Sequence, residues 1–161
     1  MNNVEVNLGE TIEVICEILD GGGEFQMLPR GKSMRPLIVE MRDSVVLAKR
    51  KSSDIRRYDM LFYRRANGQF VLHRLMRIEK DGTYTMCGDA QTVMEKGIRD
   101  EQIIGYVQKM YRKGRCVAMN SFWYRAYVVL WACMPLRRVA LFCAGVLTKL
   151  ARMLHLKKEK N

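Results

Sequence analysis

Along the chain the apolar residues change their spacing twice. Leu8, Ile12, Ile15, Cys16 and Leu19 recur at helical intervals with acids between them, which predicts a short amphipathic helix over residues 8–20, stopped by Gly21-Gly22-Gly23. From residue 24 to about 118 the texture becomes short β-rich runs separated by turn residues. The runs are DSVVLAKR (43–50), DMLFYRR (59–65), QFVLHRLMRIEK (69–80), TYTMCGD (83–89) and QIIGYVQKMYRK (102–113). Asn67-Gly68 and Asp81-Gly82 are strong hairpin turns. Strands joined by tight turns, with no helices between them, predict a mainly β fold built on an antiparallel, curled sheet.

Residues 121–156 change character again. SFWYRAYVVLWACM is apolar nearly all round, and Pro135 breaks it. In the next stretch, LRRVALFCAGVLTKLARMLHL, the residues Val139, Phe142, Cys143, Val146, Leu147, Leu150, Met153 and Leu154 make one stripe, with Arg138, Lys149 and Arg152 grouped away from it. The uncharged runs 126–136 and 139–148 are each shorter than the roughly 18–20 apolar residues a spanning helix needs. The pattern fits an amphipathic helical pair lying on a membrane surface, basic face toward anionic lipid; helices that cover the sheet or form a dimer seam would share it. The expected organisation is a domain over 1–118 and an apolar, basic helical tail over 119–161.

Composition narrows the function classes. The net charge of +11 is uneven: residues 121–161 hold eight Lys/Arg against the single acid Glu159, and residues 1–120 hold twenty against sixteen. With the excess in an apolar tail and no basic-aromatic pattern in the β region, nucleic acid is not an expected partner. Roughly twenty residues before the glycines are also too few for a helix-turn-helix module. Cys16, Cys87, Cys116, Cys133 and Cys143 are odd in number and widely spaced, so neither zinc nor a disulfide framework is indicated, and no cofactor is expected. The apolar settings of Cys16, Cys133 and Cys143 predict free thiols in a core, and a reducing compartment is favoured. Glu10, Glu13, Glu17 and Asp20 interrupt the N-terminal apolar positions, so no signal peptide or leading membrane anchor is expected.

The stretch PRGKSMRPLI (29–38) carries the candidate chemistry. Gly31-Lys32-Ser33 is not a phosphate loop: Gln26 stands where its first glycine belongs, and Pro36 fits poorly in the helix that should come after it. A nucleophilic Ser33 needs a base, a group to orient that base, and backbone donors for an oxyanion. Alternation on the 69–80 strand puts Phe70, Leu72, Arg74 and Met76 on one face and Val71, His73, Leu75 and Arg77 on the other. A lone histidine among apolar neighbours is more often a satisfied structural residue than a base. Arg56-Arg57 and Arg64-Arg65 read as solvated edge charges.

The order of motifs across residues 27–112 resembles the signal peptidase I superfamily of serine proteases, which also contains the LexA-like self-cleaving repressors. The resemblance rests on Gly31-Lys32-Ser33-Met34-Arg35-Pro36, then Arg57-Tyr58-Asp59-Met60-Leu61-Phe62-Tyr63 at the place of the usual Gly-Asp-apolar strand. Leu72-His73-Arg74, Gly88-Asp89-Ala90 and Ile104-Gly105-Tyr106-Val107 complete it. It implies Ser33 as nucleophile with its own backbone N–H, and a neighbour's, as the oxyanion hole. His73-Arg74 resembles the histidine branch, the endoplasmic-reticulum and archaeal type, rather than the lysine branch. That branch also has carboxylates after Gly-Asp, so Asp89 and Glu95 are the candidates to orient His73, ahead of Asp100. Gly31, Met34 and Pro36 are expected at the oxyanion and substrate site, where Met34 fills a pocket and Pro36 fixes the turn. Lys32, next to Ser33 in a stretch taken as extended, should point away from it.

The implied activity is that of a serine endopeptidase cutting a leader or precursor peptide, bound as an added strand, at a membrane. Small residues are expected near the cut, and self-cleavage is not, since no second domain would be released. Peripheral membrane association through residues 121–156, on the cytoplasmic side, is the expected location. The alternative is a non-catalytic basic binding module of the same fold that docks through its tail on membrane or, as the weaker option, on nucleic acid.

Overall fold

The computed structural model describes residues 8–158, with side chains from 12 to 149. The side chains of Leu8, Leu150, Arg152, Met153 and Leu154, which belong to the helical stripes of the sequence, lie outside the described residues. The chain divides into two compact units, one ending at Asn120 and the other beginning at Ser121.

The first unit opens with helix α1 (Leu8–Asp20). Among the described residues its strands are β1 (Phe25–Met27), β2 (Asp43–Ala48), β3 (Met60–Arg64), β4 (Phe70–Ile78), β5 (Tyr84–Cys87), β6 (Glu95–Ile98), β7 (Ile103–Arg112) and β8 (Arg115–Cys116). They form one open, curled antiparallel sheet in the order β1-β2-β7-β3-β4-β5-β6, with β8 paired to β7. Irregular pairing at Val46/Leu47, Phe62/Tyr63, Leu75/Arg77 and Tyr84/Met86 bends the strands and supplies the curl. Both expected turns close hairpins the same way. Gly68 (φ 86) donates to Arg65 O at 2.9 Å, and Gly82 (φ 81) donates to Glu79 O at 3.1 Å, a type I turn completed by a left-handed glycine.

One face of the sheet closes over Ile55, Leu61, Tyr63, Leu75, Tyr84, Met86 and Ile98, against which Val71 also packs. α1 docks through Leu19 close to β7, where Gly105 leaves no room for a side chain: a Cβ there would stand 3.0 Å from Ala48 O and 3.1 Å from Leu19 Cδ1. The middle of β4 is buried on both faces, because Leu72, Arg74 and Met76 are covered as fully as His73 and Leu75.

The second unit consists of α2 (Phe122–Ala132), whose N-cap Ser121 accepts from Tyr124 N–H at 3.2 Å, and α3 (Met134–Lys158). Pro135 lies in the first turn of α3, where its missing N–H costs nothing. No single described helix is long and apolar enough to cross a membrane. α2 and residues 134–149 of α3, bent by 89°, reach that length and composition only together. Phe122, Trp123, Val139, Phe142 and Leu147 are exposed. Cys133 and Cys143 are exposed and Cys16 is half-buried, against the expectation of core thiols; Cys87, at the end of β5, is the buried one. Apolar neighbours along a helix raise the local hydropathy without placing a residue inside.

Candidate active site

Ser33 lies in the loop between β1 and β2. Gly31 takes φ 92, a left-handed conformation that glycine adopts without penalty, and lets the chain reverse just before the serine. Residues 32–38 form a turn rather than an extended stretch: Arg35 N–H donates to Lys32 O at 3.2 Å and Ile38 N–H to Met34 O at 2.9 Å. Strand alternation therefore does not govern Lys32, contrary to expectation, although its side chain is exposed. Met34, Leu37 and Ile38 are buried and anchor the turn, leaving Ser33 half-buried. The Arg35–Pro36 peptide is cis; Pro36 is exposed and takes no part in lining the cleft that Ser33 borders, against the expectation of a substrate contact.

The turn after β5 grips the serine backbone. Ala90 N–H donates to Ser33 O at 2.7 Å. A Cβ on Gly88 would stand 2.6 Å from Ser33 O and 3.1 Å from His73 Cδ2, so one added methyl would collide with the serine carbonyl and press on the histidine ring. Only a glycine lets the serine loop and the histidine strand close this tightly.

His73, 2% exposed, stands opposite Leu61 in the β3–β4 pairing. Its Nδ1 is 3.2 Å from the hydroxyl of Tyr63, the diagonal neighbour on the same face, and Tyr63 donates in turn to Glu95 Oε2 at 2.9 Å. Arg65 engages both oxygens of Glu95, Nε to Oε1 at 2.8 Å and Nη2 to Oε2 at 2.7 Å, and reaches Gln69 Oε1 at 3.0 Å. Burial, and then the Arg65 charge, push the His73 pKa down to about 4; Glu95 and Asp89 oppose the shift without cancelling it. The imidazole is therefore neutral near pH 7. Burial raises the Glu95 carboxyl, but hydrogen bonds from Arg65 and Tyr63 outweigh it and hold the group below its ordinary range. The Tyr63 phenol is driven well above its usual value by burial and by its bond to Glu95.

Neither carboxylate candidate touches the ring. Glu95 is one hydroxyl removed. Asp89 is engaged instead by Arg74, with Nε to Oδ1 at 2.9 Å and Nη2 to Oδ2 at 2.8 Å, a pair 1% and 0% exposed. Arg74 points from the opposite face of β4, so the acid after Gly88 ties that strand to the turn that holds Ser33. Arg74 Nη1 also donates to Tyr58 O at 3.0 Å. Tyr58, at φ 77, occupies the backbone region that favours glycine, the residue that the resembled pattern carries there. Asp100 accepts from Ser52 and from Tyr84, away from the histidine.

Ser33 and His73 both line a cleft of about 530 Å³, walled also by Gly31, Met34, Arg65 and Gln91. Phe70, Val71, Leu72 and His73 form one side of it. This half of β4 pairs with β3 alone, since β5 joins the strand only from Arg74 onward. Among the described residues, the His73 ring bonds only Tyr63, and Ser33 Oγ makes no hydrogen bond. The backbone N–H groups of Ser33 and Met34 likewise have no acceptor among them, as uncommitted oxyanion donors would. No group of three His, Cys, Asp or Glu side chains among the described residues could hold a metal ion.

Tyr63 and Arg65 are the site residues that sequence reasoning missed. Arg65, expected as a solvated edge charge, is clamped to Glu95 on the cleft wall. No protein-family model matches the chain, and no curated protein matches it.

Proposed function

We infer that the protein is a serine endopeptidase resembling the histidine-type signal peptidases, with Ser33 as nucleophile and His73 as general base. The observation that carries this reading is the convergence, at Gly88, of the serine backbone and the His73 ring on the wall of one cleft. In the reaction Ser33 Oγ attacks a peptide carbonyl and gives its proton to His73. The carbonyl oxygen becomes an oxyanion held by the N–H groups of Ser33 and Met34. The protonated imidazole then delivers that proton to the leaving amine, and water, deprotonated by the same nitrogen, hydrolyses the acyl-enzyme. The Ser33–His73 hydrogen bond forms in the complex with substrate, where catalytic contacts commonly tighten.

The substrate lies extended along Phe70–His73, pairing with the side of β4 that β5 leaves open, and a leader or precursor peptide provides such a segment. The exposed apolar residues of α2 and α3, in a tail with eight basic residues and one acid, support docking on an anionic membrane surface.

A fluorophosphonate probe tests the chemistry: native protein should be labelled, and Ser33→Ala and His73→Ala should not. An unlabelled native protein would favour the rival, a non-catalytic module that docks by its tail. Flotation with anionic vesicles tests the tail; deletion of 121–161 should abolish it, and equal flotation of the truncated chain would remove the membrane assignment.

A further inference from the structure

Glu95 reaches His73 only through the Tyr63 hydroxyl, which has one proton to give and lone pairs that accept. Where that proton goes decides which imidazole nitrogen is bare. With both oxygens of Glu95 held by Arg65, the carboxylate is charged and can only accept. A hydrogen bond to a charged acceptor is about twice as strong as a neutral one, so the phenol turns its proton to Glu95. Its oxygen then faces His73 as an acceptor, and the single proton of the neutral ring belongs on Nδ1. The opposite tautomer would pull the Tyr63 proton off the carboxylate and set phenol lone pairs against Glu95. A Cβ built on Gly88 would lie 3.1 Å from His73 Cδ2, the carbon bonded to Nε2, and 2.6 Å from Ser33 O, so the side of the ring away from Nδ1 faces the turn that holds Ser33.

We propose that Tyr63 is a positioning residue whose hydroxyl, oriented by the Arg65-clamped Glu95, holds His73 in the Nδ1–H tautomer and leaves Nε2 as the base that takes the Ser33 proton. The catalytic consequence rests on the peptidase reading; the tautomer does not. In the step itself the Oγ–H bond breaks and an Nε2–H bond forms. The new imidazolium keeps its Nδ1–H on the Tyr63 oxygen, which Glu95 polarises from the far side. Four groups act on the ring: Tyr63 by its hydrogen bond, Arg65 against the imidazolium, and Glu95 and Asp89 in favour of it.

Nitrogen-15 NMR of the full-length, histidine-labelled protein reads the tautomer directly. The chain has two histidines, His73 and His155, and His73→Gln assigns the signals. Near pH 7 native His73 should show a protonated Nδ1 and a bare Nε2. Tyr63→Phe keeps the ring but removes the acceptor. It should move the population toward Nε2–H and slow fluorophosphonate acylation of Ser33 by about 10–100-fold, with the thermal melt showing an intact fold. If the buried Tyr63→Phe does not fold, Glu95→Gln, at the half-exposed end of the relay, should shift the tautomer the same way by less. A native Nε2–H signal overturns the assignment, as does a folded Tyr63→Phe protein, or in its place Glu95→Gln, with native tautomer and acylation rate. A native Nδ1–H signal lost in the variant, in a protein that no probe labels, upholds tautomer control by Tyr63 and sinks the peptidase reading alone.

Discussion

Neighbouring residues of β4 carry two polar clusters built to different ends. Arg74 and Asp89 meet through two parallel hydrogen bonds, fully shielded from water, and Arg74 spends a further donor on Tyr58 O. His73, one residue earlier and on the other face, uses a single nitrogen on Tyr63 and borders an open cleft. A charge pair enclosed with its bonds made has nothing left to react with, but it fixes backbone geometry strongly. A ring satisfied on one side only keeps a lone pair for chemistry. The first cluster positions the second: Asp89 sits between Gly88, which admits the His73 ring, and Ala90, which holds the Ser33 carbonyl.

Stability should therefore depend steeply on the paired cluster and weakly on Ser33. Asp89→Ala strands the Arg74 charge in the interior and should cost about 3–5 kcal/mol in urea unfolding. A loss below about 1 kcal/mol would show that the pair is not the anchor. Next comes pH. The folded His73 pKa lies near 4 and the unfolded value near 6.5, so between them the unfolded chain binds the proton that the native chain refuses. Stability should fall by roughly 3 kcal/mol as pH drops through that window, and His73→Gln should flatten the slope. The acid limb of Ser33 acylation should correspondingly sit near pH 4, and a limb at 6.5 would mean that the ring is open to water.

Gly88→Ala drives a methyl into Ser33 O and the His73 ring; a cost of about 1–3 kcal/mol is expected, together with loss of probe labelling. Ser33→Ala should move the unfolding midpoint least, within about 0.5 kcal/mol, while labelling disappears. A large destabilisation there would erase the distinction between the clusters.

The outline of the first unit was legible because its longer strands alternate and its turns contain glycines that must take positive φ. β1 and β8 were not legible, since three and two residues are too few to show a period, and β6 was not because its sequence EKGI has one apolar residue among charges and a glycine. Ser33 and His73 stood out by resemblance to a family pattern, and the structure brings them to the same cleft. The acid was half legible: Glu95 is near the histidine, but the link passes through Tyr63, and a strand sequence does not display which residue of its partner lies diagonal to it. The signal was nevertheless present. The Asn67-Gly68 turn fixes the β3–β4 register, pairing Leu61 with His73 and setting Tyr63 two residues along on the same face. Arg65 was harder to place because a charge beside a turn is usually solvated, and its partner lay thirty residues downstream.

The stretch of β4 that β5 does not pair would, as a substrate groove, make a demand on its visitor. On the peptidase reading, a substrate lying along Phe70–His73 must bring backbone amides and carbonyls that are unspent. A folded domain can offer such groups only on an exposed edge strand, so an unstructured leader would meet the demand most readily, and discrimination would begin with the visitor's backbone before reaching its spelling.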